Sequence, residues 1–199
     1  TRRSSDLIAL VMETPRGLRL RYVFDVADTA GGKEAKSPAF WQAKPEYQTA
    51  ILTYLKQTFS GSDNTLTDCL LKTVASDIQN RYKNALPDLS RSRTDSFLEE
   101  LDEQNVGLLF RDTLMASVQY MVLTRCGIDA EKYITDDDLR GIVNFDTIST
   151  LFCIGDAMSN RANIFLRQIE KTIKQQEKPL ENQKKLEYNE FSALKRNSV

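Results

Sequence analysis

Hydrophobic residues change their spacing along the chain, from every second position to every third or fourth. Between residues 6 and 28, a short apolar run is followed by Thr14-Pro15-Arg16-Gly17 and then by apolar side chains at alternate positions from Leu18 to Val26. A short apolar run and an alternating run on the two sides of a Pro- and Gly-containing turn are typical of a β-hairpin. We therefore predict a hairpin over residues 6–28 and a flexible, glycine-containing loop after it.

Beyond residue 44 the apolar positions recur with the spacing of an amphipathic helix. The predicted helices begin near Pro45 and span Thr67–Asn84, Gly107–Cys126 and about Thr147–Gln176, with a polar loop at 88–93, a short helix opened by Ser96 and a short turn capped by Thr135. The predicted fold class is α+β and mostly α: a hairpin packed on a bundle of five or six helices, in one domain over residues 1–176. The charged residues 177–199 are predicted to form a linker or a tail.

The last predicted helix carries a long apolar seam. Its members are Leu151, Ile154, Met158, Ala162, Phe165, Ile169 and Ile173. Steps of three and four residues are typical both of a core-facing helix and of a helix that pairs with a partner. Core packing is the favoured interpretation, and docking or self-association through 147–176 is the alternative.

Composition narrows the possible chemistry. The 199 residues include no histidine, which excludes histidine-based catalysis and histidine-ligated zinc. Lys and Arg total 27 against 28 Asp and Glu, so no global positive field attracts nucleic acid. Cys69, Cys126 and Cys153 lie apart in apolar runs, as expected of reduced thiols in a cytoplasmic protein. No apolar run approaches the roughly 18 residues of a membrane span, and a start at Thr1 suggests a piece of a longer polypeptide.

Two charged clusters are candidate sites. Asp136-Asp137-Asp138 lacks the alternating spacing of a calcium loop, and acidic residues in a first helical turn complement the helix dipole, so capping is the favoured interpretation. Arg19 and Arg21 share one face of the predicted strand, and Arg91 and Arg93 lie close together in the predicted loop. These four arginines are candidate nucleic-acid contacts, with ordinary solvated charge as the alternative.

Three stretches together resemble a known family. Val23-Phe24-Asp25-Val26-Ala27-Asp28-Thr29 resembles the strand that leads into the zincin-like domain of ArdC-type antirestriction proteins, and Leu71-Lys72-Thr73 falls where that domain's metal-binding helix begins. The run from Ser117 to Val122, continued by Cys126-Gly127-Ile128-Asp129 and Tyr133, resembles a later helix of the same domain. The likeness covers about residues 18–175. The glycine-containing loop and the hairpin also resemble the N-terminal part of very large multidomain proteins of bacterial conjugative elements, which join such domains to helicase and DNA-methylase modules.

The resemblance implies a lost metal site. The family's two histidine ligands correspond to Ser76 and Asn80, its general-base glutamate to Asp77, and its third ligand to Ala116. Serine and asparagine are poor zinc ligands and alanine has no donor atom, so the resemblance implies the fold without a metal, a cofactor or catalysis.

Three functions follow as hypotheses. The first is a non-catalytic, cytoplasmic accessory domain of a bacterial mobile-element protein, acting in DNA transfer or antirestriction, with DNA as partner. The second is a helical protein-interaction or dimerisation module that uses the helix at 147–176. The third is an enzyme that pairs Asp77 with another carboxylate.

Overall fold

The computed structural model describes the backbone of residues 8–14, 17–23, 41–59 and 65–196, with the side chains of Arg19 and of residues 41–59 and 65–177. The chain divides into two compact units, Thr1–Phe40 and Trp41–Val199. The first contains two antiparallel strands, β1 (Ile8–Thr14) and β2 (Gly17–Val23), whose register pairs Met12 with Arg19 and Leu10 with Arg21. A single domain over residues 1–176, with a hairpin packed on the helices, stays a prediction.

The prediction of a mostly helical chain is confirmed. Within the described residues the second unit has six α-helices, joined in places by short 3-10 turns. They are α1 (Pro45–Phe59), α2 (Leu66–Arg81), α3 (Leu86–Ser92), α4 (Glu103–Arg125), α5 (Asp136–Leu139) and α6 (Ile148–Arg196), with 3-10 turns at Tyr82–Asn84, Ala130–Lys132 and Arg140–Asn144.

Polar side chains define where several of these helices begin. Asp102 starts α4 by accepting a hydrogen bond from the backbone N–H of Asn105 at 2.9 Å. Thr135 starts α5 in a capping box with Asp138, as predicted, and the acidic run therefore serves as a cap. At the end of α4, Gly127 has φ +74°, the left-handed conformation that favours glycine after a helix.

The core of the second unit lies between α1, α2, α4 and α6. On α6, the predicted seam is buried from Ile154 to Ile173, so core packing is confirmed for that stretch. Phe165 of the seam packs against Phe59 of α1 with ring centroids 5.7 Å apart. Leu151 is the exception, because it is half-exposed and turned away from the core. Docking or self-association through 147–176 stays a prediction.

Two predictions between α2 and α4 are wrong. Residues 88–93 are not a polar loop, because α3 runs from Leu86 to Ser92 with Pro87 in its first turn, where the missing N–H of proline leaves no hydrogen bond unmade. Ser96 does not open a helix; its hydroxyl donates to the carbonyl oxygen of Arg93 at 2.6 Å within a series of turns. Asp95 adopts φ +62° there, which interrupts a helical backbone.

The last helix is longer than its apolar pattern. We predicted an end at Gln176, whereas α6 continues to Arg196. Residues 177–196 are weakly apolar but rich in Lys, Glu and Leu, which have high intrinsic helix propensity. A linker function for 177–199 stays a prediction.

The described cysteines form no disulfide. Cys69 and Cys126 are buried, and Cys153 is half-buried. Burial raises the pKa of Cys126 to about 11, more than the nearby Arg125 charge lowers it, so this thiol is neutral at pH 7. Among the described helices, none combines the length and the apolar character that crossing a membrane requires.

Candidate functional site

The three α2 positions that the resemblance implies lie together. Ser76, Asp77 and Asn80 line one open cavity at the surface, beside Phe59 of α1. All three are in the C-terminal half of α2, where the spacing of one and four residues places them on one side of the helix.

Asp77 is held between two arginines. Its Oδ1 lies 2.9 Å from Nε of Arg81, one turn along α2, and its Oδ2 lies 3.4 Å from Nη1 of Arg161 on α6. The Asp77 side chain is only 10% exposed. Both oxygen atoms of the Asp77 carboxylate therefore form ion pairs with arginines. The described residues that line the cavity include no second carboxylate that could act with Asp77 in general acid–base catalysis.

Ala116 lines a different cavity. It is buried on α4, and its cavity is shared with Thr113 and Gln119 and with acidic residues of α4 and α5. These residues do not fit a catalytic zinc, because Ser76 and Asn80 are weak donors, Asp77 is paired and Ala116 has no donor. The described residues also include no cluster of three or more His, Cys, Asp or Glu side chains that could hold a metal ion.

The four candidate nucleic-acid contacts are divided between the two units, with Arg19 and Arg21 on β2 and Arg91 and Arg93 at the end of α3. Arg19 is exposed on β2, and the side chain of Arg21 is outside the described residues. Arg91 is exposed on α3 but forms an ion pair with Asp88. Arg93 is half-buried and donates from Nη1 to the carbonyl oxygen of Leu101 at 3.2 Å. Arg91 and Arg93 therefore already serve local contacts.

A group of large apolar side chains is exposed at the start of α6. Ile148 is 90% exposed, Leu151 52% and Phe152 61%; the spacing of three and four residues places them on one face of the helix. Phe97 is 67% exposed, and its backbone N–H donates to Oδ1 of Asp146 at 3.0 Å, which holds it beside the residues preceding α6. We call these four residues the apolar surface.

Two exposed carboxylates adjoin the apolar surface. Asp146 adjoins Phe97, and Asp156 follows Phe152 by one turn and accepts from Nδ2 of Asn160 at 2.8 Å. Burial raises the pKa of the Cys153 thiol above its ordinary value, and the negative charges of Asp88 and Asp156 raise it further. The start of α6 is thus a region of negative charge around exposed hydrocarbon.

The sequence prediction missed the apolar surface for an identifiable reason. Leu151 precedes Ile154 by three residues and was therefore assigned to the buried seam. It lies instead on a second apolar face, together with Ile148 and Phe152. The available signal was the pair Ile148 and Phe152, one turn apart and outside the seam, which with Leu151 forms a second apolar stripe.

No protein-family model matches the chain, and neither does a curated protein or a solved structure. The likeness to ArdC-type proteins therefore stays a hypothesis, and the chemistry of the described side chains carries the functional argument.

Proposed function

We propose that the helical unit is a non-catalytic interaction module that binds another protein through the apolar surface. The observation that carries this proposal is the exposure of four large apolar side chains in one region of the fold. Together they expose roughly 500 Å² if a large side chain offers about 200 Å². Contiguous apolar patches of that size on soluble monomers are often functional.

Energetics support a docking role. Covering about 500 Å² of apolar surface is favourable by roughly 25 cal/mol per Å² before the costs of association are subtracted. A standard interface covers about 800 Å² on each partner. The apolar surface is therefore large enough to form the centre of an interface, with the surrounding carboxylates at its rim.

Site-specific photo-crosslinking tests the proposal. A photoreactive residue at position 152 should crosslink reproducibly to one partner in cells that express the chain, and Ile148→Ser should suppress the product. The matched control places the same residue at Ile164, which is also exposed on α6 but outside the apolar surface. Equal crosslinking from both positions, or none from position 152, would contradict the proposal.

A second candidate function is that of an accessory domain that binds DNA for a mobile-element protein in the bacterial cytoplasm. In the fold that the resemblance implies, the hairpin packs on the helices. It is favoured by the exposure of Arg19, two residues from Arg21 on β2. Fluorescence anisotropy with single- and double-stranded DNA at about 50 and 200 mM salt tests it, because phosphate contacts weaken steeply over that range. The expected result is salt-sensitive binding that the double variant Arg19→Ala, Arg21→Ala loses. An unchanged DNA affinity in that variant would show that the two hairpin arginines do not contact DNA.

A further inference from the structure

Building on the proposed interaction module, we propose that its partner is a basic amphipathic helix. Apolar side chains of that helix cover the apolar surface, and its flanking lysines and arginines face the surrounding carboxylates. The juxtaposition of Phe97, Ile148 and Phe152 with exposed carboxylates that form no ion pair with a described cation carries the inference.

The two segments that supply the residues of the apolar surface, 94–103 and 141–160, contain no Lys or Arg. The arginines that directly flank them already have partners, because Arg93 donates to Leu101, Arg140 pairs with Asp137 and Arg161 pairs with Asp77. The acidic residues of the two segments are Asp95, Glu99, Glu100, Asp102, Glu103, Asp146 and Asp156. The whole chain is nearly balanced, with a formal net charge of -1. The carboxylates that adjoin the exposed hydrocarbon are Asp146 and Asp156, and their charge favours a positively charged partner.

The carboxylates nearest the hydrocarbon are available for ion pairs. Asp146 accepts a backbone N–H and Asp156 accepts a side-chain amide, and both are exposed. No cation within the described residues forms an ion pair with either of them, whereas Arg91 is already paired with Asp88. Because Asp146 is hydrogen-bonded to Phe97, a cation near this carboxylate also lies near an aromatic side chain.

The shape of the exposed strip fits a second helix. Ile148, Leu151 and Phe152 are followed at the next turn by Gly155, and the four positions span about 10 Å along α6. A Cβ atom added to Gly155 would have no other atom within 4 Å, so a neighbouring backbone can approach there. Apolar side chains at i, i+3 and i+4, with a glycine at i+7 that admits a close neighbour, suit the docking of an amphipathic helix.

Charge argues against a second copy of the chain as the occupant. In a symmetric pair the same surface faces itself, so Asp146 and Asp156 of one copy would approach the acidic residues of the other. Like charges facing each other at an interface are unfavourable. A basic helix meets the same hydrocarbon without that cost.

Binding of designed peptides to the 199-residue chain tests the inference. The probe is a fluorescently labelled 18-residue amphipathic peptide with leucines on one face and lysines beside them, about five helical turns long. Its controls are the same peptide with every lysine replaced by glutamate and a scrambled peptide of equal composition. We expect the basic peptide to bind at least about tenfold more tightly than either control, and its affinity to fall as salt is added.

Variants locate the peptide and separate its two contributions. Phe152→Ser should weaken binding by about tenfold or more, as expected for a central aromatic anchor, whereas Ile164→Ser should not. The double variant Asp146→Asn, Asp156→Asn should weaken binding about fivefold, on the basis of roughly 0.5 kcal/mol for each exposed ion pair. The matched double variant Glu131→Gln, Asp136→Asn removes the same charge elsewhere and should leave affinity unchanged.

The outcomes distinguish this inference from the proposed function. If the acidic peptide binds as tightly, or the Asp146/Asp156 variant binds normally while Phe152→Ser does not, the basic partner is overturned and the interaction module survives. If no peptide binds and sedimentation shows a dimer that Phe152→Ser dissociates, the occupant is a second copy and the basic partner is again overturned. If no peptide binds and crosslinking from position 152 also yields nothing, both proposals fail.

Discussion

Ile148 and Ile154 are the same residue type, six positions apart on α6, in opposite environments. Ile154 is fully buried in the core, and Ile148 is almost fully exposed. Six residues turn an α-helix by about 240°, so the two side chains leave it in different directions. α6 therefore carries two apolar faces, of which the fold uses only one. The comparison shows that an apolar pattern in a helix predicts a face that is favourable to bury. The pattern does not show whether the chain itself or a partner covers that face.

The largest expected effect comes from making the same substitution on both faces. Ile154→Ala should lower the free energy of unfolding by about 2–5 kcal/mol, because it leaves a cavity in a packed core. Ile148→Ala should change it by no more than about 0.5 kcal/mol, because the side chain contributes little to packing. Urea unfolding followed by circular dichroism measures both values. Similar losses from the two variants would show that the two faces are not distinct.

Substitutions of two glycines give a second comparison between a packed and an exposed position, with a smaller expected change in stability. An alanine Cβ at Gly141, which precedes α6, would lie 2.4 Å from Oγ1 of Thr113, so Gly141→Ala should destabilise the fold by about 1–3 kcal/mol. On the exposed face, Gly155→Ala meets open space and should stabilise α6 by about 0.5–1 kcal/mol. Thermal unfolding of both variants measures the difference.

A double variant controls for the cause of the Gly141→Ala loss. Oγ1 of Thr113 is buried and has no hydrogen-bond partner, so Thr113→Ala removes the close contact without breaking a hydrogen bond. Adding Thr113→Ala to Gly141→Ala should therefore restore part of the lost stability. A purely additive loss would mean that the contact is not responsible.

The sequence predicted the helices best where apolar periodicity and a specific cap coincide. The helix from Pro45, the glycine end of α4 and the Thr135 cap are found where they were expected, because each depends on local interactions. Leu86–Ser92 was missed because a proline can start a helix as well as end one. The apolar surface was missed because its exposure depends on which face α1 and α4 cover, and that is a property of the whole unit.

A substitution of Asp77 tests whether an ion pair between α2 and α6 contributes to stability in addition to the apolar contacts. Asp77→Asn should lower the free energy of unfolding by about 1 kcal/mol, because it removes the charge that joins α2 to Arg161 of α6. The loss should shrink at high salt. Urea unfolding at low and high salt measures it. Asp88→Asn is the matched control, since its partner Arg91 lies on the same short helix and both side chains are exposed. An equal loss of unfolding free energy from both variants would mean that the ion pair between α2 and α6 stabilises the fold no more than an exposed ion pair within one helix.

The last prediction is a pH dependence farther along α6, where Tyr47 of α1 donates a hydrogen bond to Oε1 of Glu177 at 3.5 Å. Burial, reinforced by Glu46 and Glu177, raises the pKa of Tyr47 from 10.0 to about 12. Between these values the unfolded chain has released the proton and the folded chain keeps it, so stability must fall as pH rises through this range. Tyr47→Phe should lessen the fall measured by urea unfolding between about pH 10 and 12. Glu177→Gln should retain most of it, because burial is the larger cause. An identical fall in Tyr47→Phe would assign the pH dependence to other groups.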